Sequence, residues 1–368
     1  MYSPKYVTDI TKVPGLSEEE KKKLAEVQKK FAFRSNEYYL SLIDWDDPAD
    51  PIRKLVIPDP AELEEWGRLD ASGEARYIVA PGMEHKYDQT ALVLVSDMCA
   101  GFCRYCFRKR IFMNGGAREV ARDIDADLEY ISSHPEITNV LLSGGDPLFL
   151  STNRLEKIIA RIREIDHVQI VRIGTKVPAY NPYRILNDTK LPEVIRRYST
   201  EGKKIYIITQ FNHPRELTEQ AIKAVNILQN AGAVFASQTP LLHGINDNPE
   251  TIAELSRKLS FIGIAPYYVF QCRPTLGNRD FVVPVEEGYF ILEQAKMNCS
   301  GLAKRFTFAM SHVCGKIAIV GVDDERTYLK FHQSAEWEDI GKFMSFRRNP
   351  EALWFDDYKS PLSEKKVV

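Results

Sequence analysis

The sequence predicts an α/β fold built on a parallel sheet with helical crossovers. Two observations predict it: short apolar runs alternate with longer amphipathic stretches from residue 91 onward, and six such strand–helix units follow one another. A third supports it, since 44% hydrophobic residues in a chain of 368 leave ample material for a core. Six units are fewer than the eight of a closed barrel, so an open partial barrel and a doubly wound sheet both fit the pattern.

The first part of the chain reads differently. Residues 17–31 begin with a cap residue, Ser17, carry acids in the first turn and bases later, and so predict a surface helix. The stretch from Tyr38 runs into a Pro- and Asp-rich connection ending near Pro58, and a second helix is expected over 60–69. Residues 1–85 are read as an N-terminal helical cap with no repeat and no chemistry of its own. The core is expected over 86–299, and residues 300–368 form a C-terminal extension with a strand at 306–310 and a frayed tail from Asp356.

Within the core, strands are expected at 92–95, 140–142, 168–173, 205–208, 234–236 and 266–270. Helices are expected at 119–132, 152–165, 191–198, 216–231, 249–261 and 286–298. Ligands of such folds lie at the carboxyl ends of the strands. There the sequence places three cysteines, then Ser143-Gly144-Gly145-Asp146, Gly174-Thr175-Lys176, Gln210 to His213, Ser237-Gln238-Thr239 and Gln271-Cys272-Arg273. The paired glycines let backbone approach a ligand, and Asp146 can accept from an ammonium group. A tight structural turn accounts equally for that stretch. His213, before Pro214, reads as a satisfied loop histidine. Lys316, in Ser311-His312-Val313-Cys314-Gly315-Lys316, is either a surface lysine or a Schiff-base amine, which requires partial desolvation.

The densest chemistry lies in residues 97–110, Asp-Met-Cys-Ala-Gly-Phe-Cys-Arg-Tyr-Cys-Phe-Arg-Lys-Arg, where Cys99, Cys103 and Cys106 share one loop. Three chemistries can use them. A zinc site wants a fourth ligand, which Cys272, Cys299 or Cys314 would have to supply. A disulfide framework wants an oxidising compartment. An iron–sulfur cluster held by three cysteines keeps one iron open for a ligand. The basic residues Arg104, Arg108, Lys109 and Arg110 either hold anionic groups beside the loop or form a solvated turn. A formal net charge of −2 gives no reason to expect nucleic acid or an anionic membrane as partner. No apolar run approaches a membrane span, and the first ten residues lack a signal-peptide core, so a cytoplasmic setting is the default.

The cysteine spacing, with an aromatic before the third cysteine, is similar to the cluster loop of radical S-adenosylmethionine (SAM) enzymes. More closely, the chain resembles the lysine 2,3-aminomutase family. Tyr38 to Asp44, Asp97 to Arg110, Leu141 to Asp146, Ile170 to Gly174, Phe211 to Pro214, Leu241 to Asp247 and Pro266 to Cys272 match in the family's order. The resemblance implies a partial (β/α)6 TIM-like barrel of radical SAM type with a [4Fe–4S] cluster on Cys99, Cys103 and Cys106. SAM would bind the open iron, with Ser143, Gly144, Gly145 and Asp146 receiving its methionyl end, and its cleavage would yield a 5′-deoxyadenosyl radical. An amino acid held as an imine of pyridoxal phosphate (PLP) on Lys316 would move its amino group from C2 to C3. Arg108 would hold the substrate carboxylate. A small protein such as flavodoxin or ferredoxin would supply the electron, and a homo-oligomer stays open. Hydrogen abstraction from another small or peptide-borne substrate without PLP is the alternative.

The departures from the family pattern carry expectations too. The two arginines expected on the cofactor phosphate fall at Lys86 and Thr90, leaving at most one cation. Of two aspartates that receive lysine's distal ammonium, one falls at Arg273 and the other near Ala309 or Met310. Arg273 would therefore repel a cationic side chain, and a substrate with a neutral or acidic end is expected, which Arg273 could pair.

Overall fold

The computed structural model describes residues 2–113 and 116–367. Its centre is a 13-stranded sheet whose strands lie side by side in strict chain order. A separate ribbon pairs β1 (Tyr6–Val7) with β2 (Ser35–Asn36). The large sheet opens with an antiparallel hairpin, β3 (Ile78–Ala80) and β4 (Met83–Tyr87), and β4 pairs antiparallel with β5 (Thr90–Ser96). From β5 the pairing is parallel through β6 (Asn139–Gly144), β7 (Ile170–Thr175), β8 (Ile205–Thr209), β9 (Val234–Leu241), β10 (Ala265–Gln271) and β11 (Thr307–His312). An antiparallel meander follows: β12 (Gly315–Val322), β13 (Arg326–Ser334), β14 (Phe343–Arg347) and β15 (Ser363–Lys365).

The unbroken order decides between the two architectures. A doubly wound sheet reverses its strand order at a switch point, and this one never does. The sheet therefore curls into an open barrel with its helices outside. Its two flanks meet through side chains and loop backbone: Lys86 Nζ donates to His312 O at 2.5 Å, Tyr77 OH donates to Val313 O at 2.7 Å, and Arg68 N–H donates to Pro274 O at 2.9 Å.

The outer helices follow their patterns. In Thr152–Arg163, Leu155, Ile158, Ile159 and Ile162 are buried at helical spacing, and Ser151 caps the N-terminus by accepting from Arg154 N–H. Helices also cover Asp125–Ser132, Lys190–Tyr198, Glu219–Asn230, Pro249–Phe261 and Val285–Met297. The first expected helix is Glu18–Lys30, closed by a capping box between Ser17 and Glu20.

Several expectations change. The helix expected over 60–69 is only a 3-10 turn, Pro60–Leu63, because Glu62 is pulled inward and Gly67 follows at φ +81°. A helix lies instead at Pro51–Val56, where Asp50 caps and Pro51 takes the first helical position. Residues 78–87 are extended, not helical. The tail from Asp356 is not frayed: Tyr358 is buried and β15 pairs with β14, while Val368 lies outside the described residues. Among the described residues no helix is long and apolar enough to cross a membrane.

The N-terminal region does have a task, which is to clamp the cysteine loop. Arg104 forms a two-pronged bridge to Glu62 at 2.8 and 2.7 Å and donates to Ala32 O at 2.9 Å. Phe102 N–H donates to Arg34 O at 2.9 Å and Arg104 N–H to Leu55 O at 3.0 Å, while Asn36 Nδ2 donates to Ala100 O at 3.2 Å. Both partners of the Arg104–Glu62 bridge are 2% exposed. Removing one strands the other charge, so Glu62→Ala is expected to destabilise the fold by about 3–5 kcal/mol. Urea unfolding of the two proteins checks this; equal midpoints would show that the clamp contributes nothing.

Candidate active site

A cavity of about 560 Å³ runs along the inside of the barrel from the first residues of β5 and β6 to the carboxyl ends of the parallel strands, within the usual size of ligand sites. Alternate residues of the strands face it, among them Thr90 and Leu92 on β5, Asn139, Leu141 and Ser143 on β6, and Arg172 and Gly174 on β7. Cys99, Cys103 and Cys106 line one end, Lys316 and Gln333 the other, with Arg108 and Arg273 also on its wall.

All six cysteines are free, which removes the disulfide reading. Among the described residues no three His, Cys, Asp or Glu side chains are gathered as ligands of a single ion. A cluster asks for wider spacing, because each thiolate binds its own iron. Burial, the Asp146 carboxyl and the neighbouring thiols hold Cys99 well above the usual thiol range, and burial with Cys103 pushes Cys106 up to about 11. A bound cation beside Cys99 and Cys106 would favour their thiolate forms.

The turn Ser143 to Asp146 packs on this loop backbone to backbone. Gly145 N–H donates to Ser96 O at 2.5 Å and Asp146 N–H to Met98 O at 2.8 Å. Gly144 has φ +111°, and a Cβ there would lie 2.4 Å from Ser96 O; one on Gly145 would lie 2.4 Å from Met98 O. The glycines are thus explained by the approach of two loops. The Asp146 carboxylate accepts from Thr175 Oγ1 at 2.7 and 2.9 Å, Lys176 N–H at 2.7 Å and Leu148 N–H at 3.0 Å. Burial pushes it up to about 6, against these four bonds. Its oxygens hold the turn together instead of standing free for an ammonium.

The basic residues of the loop are neither solvated nor idle. Lys109 is buried, donating to Arg104 O at 2.9 Å. Arg110 bridges Glu74 at 2.6 Å and Glu119 at 2.8 Å. Arg108 meets Glu74 through Nε at 2.9 Å and Nη2 at 2.7 Å, and its Nη1 donates to Ser143 Oγ at 2.9 Å. Three of its five N–H groups are engaged, which leaves two without a partner among the described residues. Burial opposes ionisation of Glu74, but the Arg108 and Arg110 guanidiniums hold it well below the usual carboxylate range. Arg273 stacks on the Phe107 ring at 3.7 Å and donates to Ser72 Oγ at 2.7 Å.

At the far end Lys316 lies 4.7 Å from the Tyr87 ring centroid and 5.7 Å from that of Tyr268, donating to Gln333 Oε1. It is no surface lysine. Burial, with Arg172, Lys86 and Arg273 nearby, brings its ammonium down from the ordinary 10.5 to about 7. Burial and Arg273 bring Lys86 down to about 8. Arg172 donates to Asn139 Oδ1 at 2.8 Å and to Thr90 Oγ1 at 3.3 Å. Among the described residues none of Lys86, Arg172, Arg273 and Lys316 has a carboxylate within 4.0 Å.

Residues 93–256 match the radical SAM superfamily. Over 363 residues, 98% of this chain and 97% of the relative, the sequence is 54% identical to a protein of Aquifex aeolicus that carries the L-lysine 2,3-aminomutase name provisionally. It is 38% identical to L-lysine 2,3-aminomutase of Clostridium subterminale, covering 80% of this chain and 70% of the relative. It is 35% identical to glutamate 2,3-aminomutase of Clostridioides difficile, covering 81% and 69%. The chain belongs to the lysine 2,3-aminomutase family of radical SAM enzymes. It is thus an isomerase of the 2,3-aminomutase type, and the family's cofactors are a [4Fe–4S] cluster, SAM and PLP.

The cavity suits those groups. Three thiols without a disulfide suit the cluster, and a set of cations without acid partners suits the phosphate of PLP. Sequence reasoning missed Glu74, Glu84 and Arg172. The first two fell in the region read as a cap, although Glu84 and Lys86 two residues apart already mark one face of a strand. Arg172 stood as a charge inside the apolar run 168–173, a signal of a lumen-facing position.

A neutral amine is the reactive form of Lys316, so its labelling by PLP and borohydride is expected to rise with pH through about 7 and then level off. Arg172→Gln removes a neighbouring cation and should move that midpoint upward, and Lys316→Ala should give no labelled peptide. Peptide mass spectrometry reads all three; a midpoint near the ordinary lysine value would contradict the site.

Proposed function

We propose that this enzyme moves the α-amino group of a free amino acid with an acidic side chain from C2 to C3. The observation that carries the choice of substrate is Arg273, a half-buried guanidinium on the cavity wall with no carboxylate of its own among the described residues. A lysine side chain would bring a further cation to a wall that already holds Lys86, Arg172, Arg273 and Lys316. Like charges in a desolvated site cost several kcal/mol before relaxation. That glutamate 2,3-aminomutase is among the relatives supports the reading.

Cys99, Cys103 and Cys106 are assigned to the cluster, the turn Ser143 to Asp146 to the methionyl end of SAM, and Lys316 to PLP. Bound there, the cluster and SAM supply a hydrogen-abstracting carbon radical, and PLP carries the migrating amino group. The chain's own residues bind and orient. The two remaining N–H groups of Arg108 hold the substrate carboxylate, and Glu74 fixes the guanidinium so that they point into the lumen. Arg273 takes the side-chain carboxylate. Lys316 offers an amine that is half neutral near pH 7. The wall of strands and the Tyr87 and Tyr268 rings keep water from the reacting carbon.

Three regions, 1–85, 86–299 and 300–368, are read as clamp, barrel and lysine-bearing extension. A flavodoxin or ferredoxin is the expected electron donor, and the free thiols favour a cytoplasmic setting.

With cluster, SAM, PLP and a strong reductant present, L-glutamate is expected to be converted in preference to L-lysine by at least ~10-fold, about 1.4 kcal/mol in transition-state binding. Arg273→Asp should reverse the order. Chromatography of β-amino acid products from the mixed substrates checks both, and a clear preference of the unaltered enzyme for lysine would end the proposal.

A further inference from the structure

Glu84 has no task in the mechanism above. It sits on β4 with 7% of its surface exposed and faces the cavity, and its Oε1 has no hydrogen-bond partner among the described residues. A buried polar oxygen left unpaired costs about 1–3 kcal/mol. A ligand that pairs it recovers that loss. Its Oε1 also lies 4.0 Å from Arg108 Nη2, beside the guanidinium assigned to the substrate carboxylate.

We propose that Glu84 is a further substrate-binding residue, donating a hydrogen bond from its carboxylic acid form to the same substrate carboxylate that Arg108 holds. The inference rests on the reading of Arg108. The carboxylate is then shared between a guanidinium and an acid, a short charge-assisted arrangement.

The surroundings favour the acid form. Burial and the charge on Glu74, with Asp70 from the same turn, push Glu84 up to about 7, against Arg108 and Arg110 from the cysteine loop. Lys86 on its own strand and Arg273 at the end of β10 also face it. A substrate carboxylate arriving at Arg108 adds a second anion beside Glu74 and raises Glu84 further. Binding therefore takes up a proton from solvent above about pH 7, and affinity falls as pH rises past that point.

The test is calorimetry of L-glutamate binding to protein loaded with cluster, SAM and PLP, without reductant, at pH 8 in buffers of different ionisation heat. Unaltered protein is expected to take up about one proton more per site than Glu84→Gln, and its Kd should climb ~10-fold per pH unit above about 7, a slope the variant lacks. Glu84→Leu, which leaves no orphaned oxygen, gives a second arm should the amide variant fold poorly, with the same expected loss of uptake. Equal uptake in unaltered and variant proteins overturns the role of Glu84. The α-amide of L-glutamate separates this from the underlying reading: if it binds as tightly as glutamate, Arg108 does not hold the carboxylate. If glutamate itself does not bind at any pH, the substrate class falls and the inference with it.

Discussion

The site depends on one contact, the backbone of the cysteine loop against the backbone of the glycine turn. Parallel pairing of β5 with β6 brings their carboxyl ends out side by side, and the two N–H donations from Gly145 and Asp146 to Ser96 and Met98 lock them. No side chain fits between them. A methyl group on Gly144 or Gly145 would meet carbonyl oxygen at 2.4 Å, a distance that only movement of the loops can relieve. The same contact sets where the three thiols stand and where the turn presents its backbone. Where the three thiols stand and where the turn presents its backbone are therefore one structural decision, and Asp146 serves both by holding the turn from behind.

The opposite wall has the reverse problem, an excess of charge in too little water. Lys86, Arg172, Arg273 and Lys316 line a single cavity, and burial acts on every one of them against the charged form. Glu74 answers on the Arg108 side, where it neutralises two arginines of the cysteine loop. Nothing among the described residues answers at the far end. A fold that desolvates like charges without partners gives up stability for binding. What relieves it is an anionic ligand, and while the wall lacks one, the cheapest relief is for Lys316 to lose its proton. The lowered basicity of Lys316 and the unpaired cations around it thus have a common cause.

Much of this was legible in the sequence, because strands with a 2-residue alternation and helices with buried residues three and four apart declare themselves. Phe261 ends its helix where expected, and the three cysteines stood out by spacing alone. The misses have physical reasons. The short antiparallel strand β4 carries charge on the face turned to the cavity, so Met83 to Tyr87 does not read as a strand by hydropathy. Lys109 and Arg110 are charged residues held inside by partners far along the chain or beyond one turn, and residue type alone assigns them to solvent. Asp146 is the opposite case: an acid after two glycines suggests a ligand, but its partners Thr175 and Lys176 come from the next strand end and cannot be seen in its own motif.

Thr90 shows how a position lost in sequence is regained in space. The resemblance left one phosphate-binding cation at most, since threonine replaces arginine there. In the barrel, residue 90 opens β5 with Asn139 of β6 as its register partner, and Asn139 in turn faces Ile170 on β7. The alternation of β7 turns Arg172 to the lumen, where its guanidinium reaches both Asn139 and the Thr90 hydroxyl. A smaller residue at 90 makes room for this reach, and its hydroxyl accepts the bond. The wall keeps a guanidinium beside Lys316, delivered from two strands away. A cofactor phosphate is recognised by where the charges converge, whatever strand each charge comes from.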